Sequence, residues 1–416
     1  MTASTYVILG GGMVAGYAAK ELAERGLSAG QLSIVSSDNA LPYERPPLSK
    51  GFLAGKESEA SVFINDAGFY ASQGIDVRLS TVAAGVDVQG KRILLRGGEA
   101  VGFEKLVIAT GSHLRTLELP GAALHGICYL RSLDDSKRIQ TRAAKAKRAV
   151  VIGAGFIGME VASALAQQGV ATTMIFPEAR IWERFFTPEM SAFFQRYYDA
   201  RKVVIMPGAR PVAFLGGTEV SAVVLDSGQH LPADLVVAGI GVSPATEALA
   251  DSGLKLDNGV LVNEYLETSI PDIYAAGDVA NYRDQLFDKQ RRIEHWDNAV
   301  EQGKYIARAL TGEHAPFIHV PYFFSDVFDL SYEYWGDAEG ADSAGYRGEI
   351  DSGRFSAWWL KGGQVRAVFF LNQPGEEHDR ASQWIAERYQ PPAGFLKEER
   401  RLAAAAAAGG RGQDKK

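Results

Sequence analysis

The stretch RAVVIGAGFIGMEVASALAQQ, residues 148–168, decides the fold. Residues 148–152 are mostly apolar and β-branched and read as a short buried strand. Gly153, Gly155 and Gly158 follow, and then an apolar run with helical spacing over 159–168. A strand, a glycine turn and a helix in that order present free N–H groups and the positive end of a helix dipole. Gly153 permits the tight turn, Gly155 lets backbone approach a pyrophosphate, and Gly158 lets helix and strand pack closely. A second strand at 171–176 (ATTMIF) completes a βαβ unit. Glu178 stands just past that strand, placed to accept from a ribose 2′-hydroxyl and to repel a 2′-phosphate. That favours NADH over NADPH. Arg180 and Arg184 are close enough in sequence to soften the preference.

The same pattern occurs earlier as TYVILGGGMVAGYAAKELAER, residues 5–25. Here Gly10 takes the tight turn, Gly12 the close approach and Ala15 the helix–strand packing, with a helix expected over 14–25. After the next strand, 31–35, Asp38 is placed to accept from ribose hydroxyls. Two such units imply two dinucleotides. If one is a nicotinamide nucleotide, the other is a flavin, because two nicotinamide sites have no reason to exchange electrons through the protein.

The chain has 416 residues, enough for two or three domains with large cores. Its 45 glycines exceed the average of about 7 %. Lys and Arg number 43 against 50 Asp and Glu, a net charge of −7 that argues against nucleic acid as a generic partner. A single cysteine, Cys128, excludes an internal disulfide, a Cys-x-x-Cys redox centre and a thiolate-bound iron–sulfur cluster within one chain. No metal site is expected. No apolar run approaches the roughly 18 residues of a membrane span, so no membrane partner is expected. The apolar run at 6–19 lacks a basic leader and is interrupted by Gly10, Gly11 and Gly12. It reads as strand and turn, and a cytoplasmic protein is expected.

Short strands at 106–109 and 273–275 each end in a glycine turn. After Pro321 the texture changes. Aromatic and β-branched runs at 323–328, 332–335, 355–360 and 365–370 predict an antiparallel sheet. One helix is expected over 378–388, and the Gly- and charge-rich end reads as disordered.

These residues carry a resemblance. IATGS (108–112) and IYAAGDVA (273–280) resemble the second and third FAD-contact motifs of flavoproteins with two dinucleotide-binding domains. LPYERPPLSKGFL (41–53) resembles the flavin segment of ferredoxin reductases, monodehydroascorbate reductases and apoptosis-inducing-factor-like proteins. The disulfide reductases of the wider family carry their cysteine pair there, and this chain has none. The stretches at 174–198, 291–299 and 320–337 look most like monodehydroascorbate reductases.

The resemblance implies an α/β fold: two Rossmann-like dinucleotide-binding domains of glutathione-reductase type, plus a small α+β C-terminal domain. The FAD domain would run 1–112 and 244–316, the NAD(H) domain 113–243 and the flavin-covering domain 317–392, with a disordered tail at 393–416. For FAD it implies Gly10, Gly12, Ala15, Asp38, Arg45, Lys50, Val82, Ala109, Thr110, Gly111, Arg131, Gly277, Asp278, Trp296 and Phe324. For NADH it implies Gly153, Gly155, Phe156, Ile157, Gly158, Glu160, Glu178 and Gly241. Lys50 and Glu160 are the implied catalytic pair beside flavin N5 and the nicotinamide. Glu160 is expected on the first turn of its helix. The helix starting near 295–297 would aim its N-terminus at the flavin O2/N1 edge, with Trp296 a packing wall there and His295 a candidate acid or base.

The implied activity is FAD-dependent NADH oxidation, with NADPH the poorer donor and electrons leaving singly. The acceptor is a small radical of the monodehydroascorbate kind or a small iron–sulfur or rubredoxin-type carrier. An NADH-responsive redox sensor is the alternative. A monomer or homodimer fits either. Two positions depart from the plant enzymes. Val300 stands where they carry an Arg implicated in ascorbate binding, and Phe324 where they carry a Tyr. The acceptor side is therefore expected to bind ascorbate radical weakly, unless Arg291 or Arg292 supplies a cation. The aromatic stripe Phe185, Phe186, Phe193, Phe194, Tyr197 and Tyr198 reads as core packing.

Overall fold

The computed structural model of the protein describes residues 4–402, apart from 184 and 374. It divides into two units, Met1–His319 and Val320–Lys416.

Apolar, β-branched strands in the first unit are buried on both faces, as parallel strands covered by helices must be. One parallel sheet runs Asp76–Arg78, Leu32–Val35, Ser4–Leu9, Ala100–Ile108, and Ile273–Ala275 also pairs with Ala100–Ile108. Val7, Ile8, Leu106, Val107 and Ile108 are fully buried there. The helix Met13–Glu24 lies between the first two strands in sequence and packs on the helix Trp296–Leu310. A second parallel sheet repeats the design in the order Val204–Pro207, Ala171–Phe176, Arg148–Ile152, Leu235–Ala238, Ile127–Tyr129. Its crossover helix is Phe156–Gln167. Both glycine turns open where the strand order reverses, the crevice in which open α/β sheets hold ligands. Ser112–Leu114 pairs antiparallel with Val242–Pro244 where the chain passes between the two sheets.

The glycine-turn helices begin at Met13 and Phe156, earlier than the expected 14 and 159, because the turn glycines themselves act as caps. The aromatic stripe is largely core: Phe186, Phe193, Phe194 and Tyr198 are buried, whereas Phe185 is 41 % exposed.

The second unit is one antiparallel sheet in the order Tyr322–Val327, Leu330–Gly336, Gln364–Leu371, Arg354–Lys361, Ser343–Glu349, Lys397–Arg401. Gly362 and Gly363 both have positive φ, 56° and 78°, as a two-residue hairpin turn of the I′ kind requires. The helix Glu376–Ala386 packs on the sheet, and Trp384 meets Trp358 at 5.7 Å. The expected disordered tail is corrected at its start. Lys397–Arg401 adds an edge strand, and Phe395 packs on Trp358 at 5.1 Å. The rest of that tail, 403–416, lies outside the described residues.

Candidate active site

The first cleft is built on Gly10. Its φ is +124°, and a Cβ there would stand 2.1 Å from the carbonyl oxygen of Ala109. The neighbouring strand end therefore closes directly against the turn. Thr110 anchors that strand end by donating to the Ala245 carbonyl at 2.7 Å, and Ala245 N–H donates to the Gly111 carbonyl at 2.9 Å. Gly12 caps the helix without any side-chain hydrogen bond, and a Cβ on it would meet nothing within 4 Å. Ala15 is fully buried beneath the turn.

Around this turn the flavin segment gathers the polar groups. Asp38 accepts from the Tyr43 hydroxyl at 2.8 Å. Val82 lies just before the strand Ala83–Asp87, its carbonyl accepting from Arg96 N–H at 3.0 Å. Asp278, in the Gly277–Val279 turn, accepts from Ser112 Oγ at 3.1 Å and from Arg131 Nη2 at 3.0 Å. Gly277 needs its φ of +78° and leaves no room for a Cβ, which would stand 2.7 Å from Val14. Arg45 donates to the Arg131 carbonyl. Desolvation holds the Arg45 guanidinium below its ordinary pKa, and the Arg131 cation adds to the effect.

Two observations show that this cleft fits a dinucleotide. The Nε of Arg131 is buried and finds no hydrogen-bond partner among the described residues. The uncapped helix end at Gly12 opens on space that a backbone-close phosphate can use.

The second turn repeats these features. Gly153 has φ +110°, and a Cβ there would stand 2.3 Å from the Gly239 carbonyl oxygen. A Cβ on Gly158 would meet the Gly153 carbonyl oxygen at 2.0 Å. Gly155 caps its helix without a side chain and faces open space. Gly241, at φ +96°, lies beyond the adjacent strand end. Phe156 and Ile157 are the first helical residues, and Ile157 is 39 % exposed. Glu178 is exposed two residues past Ala171–Phe176. Arg180 is committed elsewhere: its guanidinium donates to Ser191 Oγ at 2.9 Å and to the carbonyls of Phe186 and Glu183. It is not poised for a 2′-phosphate. Arg184 lies outside the described residues.

Between the turns, Lys50 Nζ stands 3.6 Å from Glu160 Oε1, and Ser49 Oγ donates to Glu160 Oε2. Glu160 is 5 % exposed. The expected first-turn position of Glu160 is corrected: the helix starts at Phe156, so Glu160 is its fifth residue and faces inward. The segment bearing Lys50 is fastened to the second sheet's helices. Ser136 Oγ donates to the Leu48 carbonyl at 2.8 Å, and Gln168 donates to the Leu53 carbonyl at 3.1 Å.

At the start of the helix Trp296–Leu310, His295 is the cap residue and stands edge-on to Phe156 at 5.6 Å. Desolvation pushes its imidazole down to about 4, with Arg291 adding and Asp278 opposing. It is neutral at pH 7, which removes it as a general acid there. Val300 is 4 % exposed within the apolar core of the first unit. Arg291 pairs with Asp284 at 3.1 Å, and Arg292 pairs with Glu294 at 2.5 Å. Phe324 lies in the second unit, opposite Glu333.

Sequence reasoning missed Tyr43, Ser49 and Ser112 as partners of Asp38, Glu160 and Asp278. All three lie inside the quoted segments 41–53 and 108–112, so the signal was their adjacency to residues already singled out. Cys128 is buried, and desolvation raises its thiol pKa. No helix among the described residues is long and apolar enough to cross a membrane, and no cluster of three or more metal-ligating side chains occurs among them.

Residues 4–303 match the family model described as pyridine nucleotide-disulphide oxidoreductase, and 322–405 match the reductase C-terminal model. The chain is 38 % identical to monodehydroascorbate reductase 4, peroxisomal, of Arabidopsis thaliana, covering 91 % of this chain and 82 % of that protein. It is 35 % identical to putidaredoxin reductase of Pseudomonas putida, covering 89 % of each. The crystal structure of the covalent putidaredoxin reductase–putidaredoxin complex superposes with a TM-score of 0.89 at 34 % identity, covering 94 % of each chain. The protein is a flavoprotein reductase that uses FAD and NADH. Two glycine turns at two switch points, a lysine–glutamate pair and, in the second unit, an aromatic antiparallel sheet all agree with these matches, and the chain belongs to the pyridine nucleotide-disulphide oxidoreductase family.

Proposed function

We propose that the protein passes electrons from NADH to a small iron–sulfur redox protein, with ascorbate radical a poor acceptor. The observation that carries this reading is an apolar, buried Val300 on the helix Trp296–Leu310, where the plant enzymes carry an Arg. Val300 is buried among apolar side chains, and Arg291 and Arg292 are paired with carboxylates. Burying an anionic substrate without a cation costs several kcal/mol. A protein acceptor brings its own desolvated redox centre and needs no such pocket.

Bound FAD would supply a hydride acceptor for NADH and a donor of single electrons. Every other task belongs to the chain. The helix end at Gly12, with Arg45 and Arg131, holds the FAD pyrophosphate; Asp38 and Asp278 hold hydroxyls. The helix end at Gly155 holds the NADH pyrophosphate, and Glu178 accepts from its adenosine ribose. Lys50 supplies positive charge on the NADH side, and Glu160 offsets the burial of that charge. On this reading the FAD-binding part is 1–112 with 244–316, the NAD(H)-binding part is 113–243, the C-terminal domain runs from 317 through the edge strand Lys397–Arg401, and the protein is cytoplasmic.

Monodehydroascorbate reduction is the second reading, favoured by 38 % identity to the Arabidopsis thaliana enzyme. Steady-state NADH oxidation against ferricyanide, quinone, ascorbate radical, rubredoxin and [2Fe–2S] ferredoxins separates the two. Saturable turnover with a ferredoxin and a high KM for ascorbate radical is expected. Low-micromolar KM for ascorbate radical overturns the proposal. Val300→Arg is a poor test, since it forces a cation into a buried apolar position.

A further inference from the structure

Glu44 lies between Tyr43 and Arg45 in the flavin segment, and none of the roles described above uses it. Its two carboxylate oxygens accept from two different helices. Oε1 takes the Tyr17 O–H at 2.5 Å, from the helix Met13–Glu24. Oε2 takes the Trp296 indole N–H at 2.5 Å, from the first residue of Trp296–Leu310. A charged acceptor makes each bond roughly twice as strong as a neutral one. Tyr17 stays a donor at any ordinary pH: burial raises its pKa most, and the Glu44 hydrogen bond raises it further.

Both helices border the cleft. The first carries the Gly12 turn. The second reaches the Asp278 turn, where Gln302 accepts from Gly277 N–H at 2.7 Å. The two helices approach so closely that a Cβ on Gly303 would meet the Val14 carbonyl oxygen at 2.8 Å. The neighbours of Glu44 are tied down too, Tyr43 to Asp38 and Arg45 to the Arg131 carbonyl. The Glu44 carboxylate is therefore a fixed point. An indole has one N–H, and once that bond is held the ring can only pivot about it.

We propose that Glu44 is a positioning residue that holds the Trp296 indole against the flavin cleft and through it sets the rate at which electrons leave. This rests on the reading of the cleft as the FAD site. A tryptophan in contact with a flavin quenches its emission, so bound-flavin fluorescence reports the ring's position independently of turnover.

The test uses the FAD-loaded protein and the variants Glu44→Leu, Glu44→Asp, Glu44→Gln, Trp296→Phe and Glu44→Leu with Trp296→Phe. FAD stoichiometry is measured first. If the unmodified protein binds no FAD, the reading of the cleft fails, and this proposal fails with it. With FAD bound, Glu44→Leu is expected to raise emission per flavin at least threefold and to lower kcat/KM for ferricyanide at least fivefold. Glu44→Asp, too short to reach both donors, should move both readouts the same way and decides the matter if Glu44→Leu does not fold. Glu44→Gln can turn its oxygen to Trp296 and its amide to Tyr17, and should stay within twofold of the unmodified protein. The double variant should match Trp296→Phe alone, because Glu44 acts through that ring. Unchanged emission in both Glu44→Leu and Glu44→Asp, or additive losses in the double variant, overturns the proposal.

Discussion

Lys50 and Glu160 form a charge pair at 3.6 Å with the carboxylate almost fully buried. Removing one member of such a pair leaves the other uncompensated, at a cost of about 3–5 kcal/mol in the worst case. Ser49 still serves Glu160, so the loss here falls toward the low end. Lys50→Met is expected to slow flavin reduction by NADH at least tenfold in stopped flow while FAD stays bound. Glu178 gives a second prediction. Arg180, tied to Ser191, is not poised for a 2′-phosphate. Glu178→Ala should raise kcat/KM for NADPH severalfold, and better use of NADPH than NADH by the unmodified protein contradicts the assignment. His295 gives a third. The unfolded chain protonates it near 6.5, the folded chain only near 4. This contribution to stability is therefore complete above 6.5 and falls as pH drops from 6.5 to 4, by at most about 3.5 kcal/mol. Urea unfolding of the unmodified protein and of His295→Asn should differ in pH slope within that window and agree above it.

At the scale of the element, the two glycines of each turn do different work. A Cβ at Gly10 collides with the Ala109 carbonyl, whereas a Cβ at Gly12 meets no protein atom. Gly10→Ala should destabilise the fold itself. Gly12→Ala should fold with an unchanged apoprotein melting temperature yet lose FAD affinity at least tenfold, read by titration of the apoprotein. Gly155→Ala is the matching case, raising the KM for NADH with FAD retained. If Gly12→Ala binds FAD normally, the pyrophosphate does not lie over that helix end. The glycine turns were legible because periodicity and glycine spacing are local. The strand Ser343–Glu349 was not, since its Gly345, Gly348 and Glu349 suppress β-propensity and only pairing with Arg354–Lys361 makes it a strand. The charged strand Lys397–Arg401 was missed for the same reason.

At the scale of the whole molecule, that last strand has a measurable consequence. A chain ending at 392 loses Phe395 from Trp358 and leaves Ser343–Glu349 as an unpaired edge. Its melting temperature should fall by several degrees relative to a chain ending at 402, and equal stability shows that the edge strand contributes nothing. The amino-acid sequence alone determined the two dinucleotide turns, the flavin segment, the absence of a redox disulfide and the antiparallel texture after Pro321. Each is a short-range pattern, set by backbone conformation or by residue type. Tertiary structure decided what lies far apart in sequence: that Arg180 is spent on its own loop, that Arg291 and Arg292 are paired, that His295 is neutral, and that Glu44 joins Tyr17 to Trp296. Charge and hydrogen bonding depend on distance and burial, and a linear chain specifies neither until it has folded.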